Sequence, residues 1–229
     1  MEKIIPDFDA LAALYEEKRA QFTAFYRLLA EYNARFNLTS IIEEQEVYVK
    51  HFLDSLAGEA YFPQGATVAE VGSGAGFPSV PLMIARGDLS FTLIESTGKK
   101  CTFLNTVIRE LGLHATVLNV RAEDAGREPA TREKFDACCA RAVARLNTLA
   151  EYCLPLVKKG GRLVAYKGGT DELTEGRNAI GLLGGGDTIE VAYELPAGYG
   201  ARTLIVVEKE KPTPARYPRG NGAERRKPL

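Results

Sequence analysis

The sequence predicts an α/β fold: a Rossmann-like, mostly parallel seven-stranded sheet with one reversed edge strand, helices on both faces and an N-terminal helical extension. Three observations predict it. Short apolar runs alternate with helical patterns from Thr67 to Leu183, the signature of βαβ units. The run Thr67–Val71 ends in glycines at alternate positions, Gly72, Gly74 and Gly76, and Pro78 and Pro81 open a helix behind them. Proline is tolerated there because the first turn of a helix leaves its N–H groups unpaired in any case. Two further stretches, Asp187–Glu194 and Arg202–Glu208, close the series as the strand pair that one reversed strand at an edge needs.

The elements follow in order. An apolar stripe at helical spacing runs from Phe8 through Leu11, Tyr15, Phe22, Phe25 and Leu29 to Phe36, so 8–36 reads as a helix packed on the main domain. Asn37–Ser40 breaks it. Glu43–Ala60 reads as a second helix with Val47, Phe52, Leu53 and Leu56 inward. His51 and Asp54 share a face of it, which on spacing alone reads as a surface or structural pair. The expected strands are Thr67–Val71, Ser90–Glu95, Thr116–Val120, Phe135–Ala140 and Gly161–Tyr166. Helices are expected near Pro78–Ala85, Lys99–Leu111, Leu146–Val157 and Asp171–Leu183, and Gly184–Gly186 as a turn. The chain thus divides into an N-terminal extension (1–62), a core domain (63–210) and a basic tail (211–229).

Composition narrows the chemistry. The net charge is -1 over 229 residues, so nucleic-acid binding must come from a local patch. The cysteines are Cys101, Cys138, Cys139 and Cys153, with no C-x-x-C pair, and His51 and His114 are the only histidines. No metal site is legible, and reduced, buried thiols are expected. No signal pattern or membrane-length apolar run is present, and a cytoplasmic protein is expected.

Spacing selects the ligand. The glycines run G-x-G-x-G, and Phe77 stands where a dinucleotide fingerprint has its third glycine. Glu70 precedes them by two residues. An acid before G-x-G-x-G at a strand end resembles motif I of the class I S-adenosylmethionine-dependent methyltransferases. Glu95, at the end of the second strand, is placed to accept hydrogen bonds from ribose hydroxyls. The loop Arg121–Asp124, after the third strand, can contact adenine through a backbone N–H or the Glu123 side chain, and on spacing alone reads equally as a plain polar loop. After the fourth strand no Asn/Asp-Pro-Pro-aromatic signature for amine methylation follows. Cys139 stands at a possible place for a cytosine-C5 nucleophile, with nothing beside it that marks an activated thiol. Guanine N7 needs no protein nucleophile and is the more economical acceptor. Arg141, Arg145 and Lys167 converge on the same edge and suit a phosphate-bearing substrate. The tail carries Lys211, Arg216, Arg219, Arg225, Arg226 and Lys227 against the single acid Glu224, with Tyr217 among its prolines, and reads as facing RNA.

The ordered set of segments resembles the ribosomal small-subunit methyltransferase G family (RsmG, also called GidB). It comprises Asn37-Leu38-Thr39, His51–Leu56, Gly72–Pro78, Leu93–Ser96, Arg121-Ala122-Glu123, Arg141–Ala144, Ala165–Gly168 and Thr213–Arg219. The resemblance implies a class I methyltransferase fold, S-adenosylmethionine as cofactor and guanine N7 of one 16S rRNA guanosine as target. It implies cofactor contacts from Gly72, Phe77, Ala122, Glu123 and Arg141, with Glu95 on the ribose; Gly74 and Gly76 complete the loop. Arg141 and Lys167 become the candidates for catalysis. Arg145, Lys167, Arg216 and Arg219 become those for binding 16S rRNA or a small-subunit particle. Two departures stand out: the family usually has Asp where Glu70 is, and many members have Gly where Ser79 is. The resemblance marks His51 and Asp54 as a family motif without giving their role. A metabolite methyltransferase would not need Arg141, Arg145, Lys167 and the tail. A non-catalytic RNA-binding protein would not need Glu95 with the glycine loop. A monomer is slightly favoured.

Overall fold

The computed structural model describes residues 1–168 and 172–229. Seven strands form one sheet: β1 (Thr67–Val71), β2 (Ser90–Ile94), β3 (Ala115–Leu118), β4 (Phe135–Arg141), β5 (Val157–Gly168), β6 (Gly185–Glu194) and β7 (Ala201–Lys209). Their order is β3-β2-β1-β4-β5-β7-β6. Pairings are parallel from β3 through β5, and β7 is antiparallel to both neighbours. The reversed strand is therefore β7, inserted between β5 and the outermost β6. The chain turns from one half of the sheet to the other between β1 and β4. In an open α/β sheet that crevice, at the carboxyl ends of the strands, is where ligands bind.

Side-chain alternation builds two cores. Val68, Cys139 and Val164 point to one face, and Ala69, Cys138 and Leu163 to the other. The first face is covered by α1 (Phe8–Glu17), α2 (Arg19–Phe36), α5 (Ser79–Ala85) and α6 (Gly98–Leu111). The second is covered by α8 (Leu146–Cys153) and α9 (Leu173–Leu182), together with Tyr217 from the tail. Between these lie the short helices α3 (Glu44–Val47), α4 (Asp54–Leu56) and α7 (Ala122–Ala125), and α10 (Ala223–Arg226) ends the chain. No helix among the described residues is long and apolar enough to cross a membrane.

Several elements differ from expectation. The stripe 8–36 is two helices broken at Lys18. The break lets Tyr15 and Phe22 pack against each other, at 4.9 Å between ring centroids, and both against Phe52. Glu43–Ala60 is not one α-helix: between α3 and α4, residues Tyr48–Leu53 form a wide π-type turn, an irregularity often found at functional sites. Strand β5 begins at Val157 and α8 gives way to a 3₁₀ turn at Leu154–Leu156, where Pro155 interrupts it. The expected start of the next helix, Asp171, lies outside the described residues. In the glycine run only Gly184 turns; Gly185 and Gly186 begin β6. There the tail crosses: a Cβ on Gly184 would lie 2.1 Å from the Lys211 carbonyl oxygen, and one on Gly186 would overlap the Glu210 carboxylate.

The tail itself folds back onto the core. Tyr217, the aromatic expected to face RNA, is 6 % exposed and packs in the second core. The acids that hold this segment, Glu133 and Glu151, come from far upstream, so the local excess of positive charge is partly neutralised by tertiary contact.

Candidate active site

The glycine loop leaves the carboxyl end of β1. Gly72, Gly74 and Gly76 have φ of +69°, +53° and +85°, a region that costs residues with a Cβ but not glycine. The Gly74 amide donates to Glu95 Oε2 at 3.0 Å, and the Thr97 amide donates to Glu95 Oε1 at 2.7 Å. Glu95 thus fixes the loop while standing at the end of β2. Gly76 serves packing instead, since a Cβ there would meet Val80 Cγ2 at 2.7 Å. It lets the loop close on α5, and it is not among the residues that line the two cavities described below. Glu70 lies beneath the loop, fully buried. Ser79 donates to it from its hydroxyl at 2.6 Å and its amide at 3.3 Å. The two residues expected to depart from the family pattern, Glu70 and Ser79, are therefore hydrogen-bond partners.

Two cavities open on this edge and share Gly72 and Val143. The smaller, about 380 Å³, is walled by Glu95, Ala122 and Glu123, among others. The expected ribose and adenine candidates thus come together in one place. The larger, about 690 Å³, is walled by Gly74, Phe77, Arg141, Arg145 and Lys167, with His51 and Asp54 from the N-terminal extension.

Arg141 is the centre of the larger cavity. Its guanidinium donates to the Lys50 carbonyl at 3.1 Å, to Asp54 Oδ2 at 2.9 Å and to His51 Nδ1 at 2.9 Å. Lys50 and His51 belong to the π-type turn and Asp54 follows it, so the turn is shaped around this arginine. His51 stacks on Phe77, at 4.3 Å between centroids and 19° between planes, and the Arg141 guanidinium carbon lies 5.0 Å from the same ring. Burial, reinforced by the Arg141 charge, lowers the His51 pKa to about 3, so its imidazole is neutral. A neutral ring that accepts at Nδ1 carries its proton on Nε2, which then donates to Thr39 Oγ1 at 3.0 Å. Asp54 also accepts from the Tyr193 hydroxyl at 2.9 Å and lies 3.8 Å from Arg202. Beyond Arg141, Ala142 has φ +57°, an unusual conformation for a residue with a Cβ and one that clusters at functional sites.

Three of the other four basic candidates are paired with acids. Lys167 is buried; its ammonium donates to the Ala144 carbonyl at 2.6 Å and pairs with Glu172 at 2.7 Å. It braces the loop after β4 rather than offering a free cation. Arg145 is exposed and pairs with Glu175 at 2.6 Å. Arg219 is not a free RNA contact: it forks onto Glu151, which is wholly buried, at 2.6 Å. Arg216 is exposed, its guanidinium 5.0 Å from the Tyr217 ring. Cys139 is buried in the first core, and burial raises its thiol pKa well above the usual value; it is no nucleophile. No group of metal-ligating side chains occurs among the described residues. The spacing of Tyr193, Arg202, Tyr152, Asn221 and Arg225 gives no sign of a site, yet the first two complete the Asp54 network and the other three wall the smaller cavity.

Comparison with known proteins agrees. The family described as rRNA small subunit methyltransferase G (GidB) matches residues 18–187. A ribosomal RNA small subunit methyltransferase G of Lactobacillus acidophilus is 48% identical over 224 residues, covering 94% of this chain and 93% of that protein. The Brevibacillus brevis protein of the same name is 46% identical, covering 95% and 93%. Among solved structures, a predicted O-methyltransferase of Agrobacterium tumefaciens superposes with a TM-score of 0.56 at 17% identity, over 69% of this chain and 81% of that one. A SAM-dependent O-methyltransferase of Thermotoga maritima superposes with a TM-score of 0.54 at 14% identity, over 81% and 73%; both establish the fold. A glycine loop tied to a strand-end acid, an arginine cavity built on the N-terminal extension and these matches place the chain in the rRNA small subunit methyltransferase G (GidB) family.

Proposed function

We propose that this chain transfers a methyl group from S-adenosylmethionine to N7 of a specific guanosine in 16S rRNA. The observation that carries the reading is the pair of cavities meeting at Gly72. The smaller suits the nucleoside end of the cofactor. Glu95 keeps acceptor capacity beyond its two backbone partners, and Ala122 and Glu123 lie across from it. The glycine loop suits the amino-acid end, since Gly72 and Gly74 carry no Cβ to obstruct the backbone's approach. The residues present therefore fit the group.

When bound, S-adenosylmethionine supplies a methyl group activated by its sulfonium. The protein's part is to align an acceptor. Guanine N7 bears a free lone pair and loses no proton first, which accords with a site that has neither an activated thiol nor a histidine poised to take a proton. Oriented groups gain effective molarities of roughly 10⁵ M or more. Arg141 does the orienting: Lys50, His51 and Asp54 fix its plane and leave it donors for the base or its phosphate. Neutral His51 holds Arg141 and Phe77 in register. Lys167 holds Ala144 and hence the loop that follows Arg141. N7 lies in the deep major groove of A-form RNA, so the acceptor is an unpaired or extruded base. The family name of the relatives supports small-subunit rRNA as substrate.

Purified protein, S-adenosylmethionine and small subunits from a strain lacking the gene should yield 7-methylguanosine on nucleoside analysis of the rRNA. Unchanged 7-methylguanosine content would overturn the assignment.

A further inference from the structure

The tail reaches the wall of the smaller cavity. Beyond β7 the tail is pinned at successive points. Thr213 donates to the Leu183 carbonyl at 2.8 Å. Arg132 donates to the carbonyls of Thr213 and Tyr217, each at 2.8 Å. Arg127 donates to the Pro218 carbonyl at 3.0 Å, and Arg219 is locked on Glu151. Asn221 and Gly222 then turn the chain, with φ of +57° and +72°. This sets α10 against α8, where the Thr148 hydroxyl donates to the Glu224 carbonyl at 3.0 Å. The path ends with Asn221, Gly222 and Arg225 in the wall of the smaller cavity, which Glu95 and Ala122 also line. Tyr152 of α8, 5 % exposed, lines the same wall. Arg225 Nε donates to its hydroxyl at 3.2 Å, with the guanidinium 5.9 Å from its ring centroid.

We propose that residues 221–225 form one side of the adenosine subsite, with Arg225, placed by Tyr152, as a purine contact and Asn221 as a polar one. This rests on reading the Glu95–Ala122 cavity as the nucleoside end of the cofactor site. A planar guanidinium stacks on aromatic faces and carries donors at its edge. Asn221 offers both a donor and an acceptor. The cavity, about 380 Å³, is of nucleoside size, whereas an RNA strand would need an open groove. Of the cations that precede it in the tail, Arg219 is tied to the protein's own Glu151 and to the Lys227 carbonyl. The tail thus reaches the cofactor, although its composition points to RNA.

Isothermal titration with S-adenosylhomocysteine and with adenosine tests this on the full-length chain. Arg225→Ala should weaken both ligands by roughly two- to fivefold, as loss of an exposed cation–π contact would. Arg225→Lys should recover part of that affinity. Arg226→Ala, at an exposed neighbour outside the cavity wall, should bind as wild type. The rise in melting temperature on adding S-adenosylhomocysteine should shrink only in the Arg225 variants, while their ligand-free melting temperatures show that they fold. If Glu95→Ala loses affinity and Arg225→Ala does not, the proposed wall is wrong and the cofactor reading stands. If neither changes affinity, the cofactor reading fails as well. If Arg225→Ala alters only RNA binding, the tail is an RNA element and the proposal is overturned.

Discussion

Glu70 and His51 are buried ionisable groups whose environments push them in opposite directions. Glu70 has hydroxyl and amide partners, and its burial raises its pKa from 4.5 to about 7. An acid raised on folding binds its proton more tightly in the native state. Its contribution to stability is full below pH 4.5 and is lost as pH climbs through about 7. His51 is lowered from 6.5 to about 3. Its contribution is full above pH 6.5 and is lost as pH falls towards 3. The two windows overlap with opposite slopes, so wild type shows only their sum. Urea unfolding across pH 4–8 should separate them. Glu70→Gln removes the loss on the alkaline side, and His51→Gln removes the loss on the acid side, each on the order of 3 kcal/mol. Variants whose profiles run parallel to wild type would contradict both assignments. The Glu70–Ser79 contact also shows what the sequence hid at this scale. Each residue departs from the family pattern alone, and only the turn from β1 into α5 brings them within 2.6 Å.

At the scale of the element, the loop after β4 and the turn before α4 form one device. Arg141 spans the sheet edge to the π-type turn, and Lys167 ties Ala144 to the start of α9. If Lys167 is a brace, Lys167→Ala should destabilise the protein by about 2 kcal/mol, through a lost charge-assisted hydrogen bond and ion pair. It should leave the salt dependence of RNA binding unchanged. A phosphate contact would instead lower the slope of log K against log salt by about 1. Filter binding at several salt concentrations distinguishes the two. The strands and the glycine loop were legible because period-2 and period-3.6 patterns and backbone chemistry are local. The π-type turn was not. Its helical stripe is intact, and what reshapes it is a guanidinium some ninety positions later, Arg141 against His51. The same separation concealed the role of Asp54, whose partners Tyr193 and Arg202 lie on strands read only as edge structure.

Over the whole molecule, the sequence divides into an extension, a core and a tail, yet the site draws on all three. The N-terminal extension supplies His51 and Asp54, the core supplies Glu95 and Arg141, and the tail reaches the smaller cavity. The tail's composition suggested an RNA-facing basic end because the acids that hold it, Glu133 and Glu151, are invisible in a local window. Glu151 is 0 % exposed, and Arg219 meets it with its amide and its guanidinium. Removing one member of such a pair strands a buried charge, whereas replacing both with apolar groups need not cost much. Arg219→Ala is therefore expected to destabilise the whole fold by about 3–5 kcal/mol, while Arg219→Met with Glu151→Met should recover most of that loss. Glu224 gives the opposite sign. Its carboxylate is buried and neither oxygen has a hydrogen-bond partner among the described residues. Glu224→Met should thus raise stability by about 1 kcal/mol, the scale of an unmet polar group. Urea midpoints of these variants decide the matter. If Arg219→Ala unfolds within about 0.5 kcal/mol of wild type, as ordinary surface substitutions do, the tail is an appendage. A large loss with recovery in the double variant makes it a structural part of the domain.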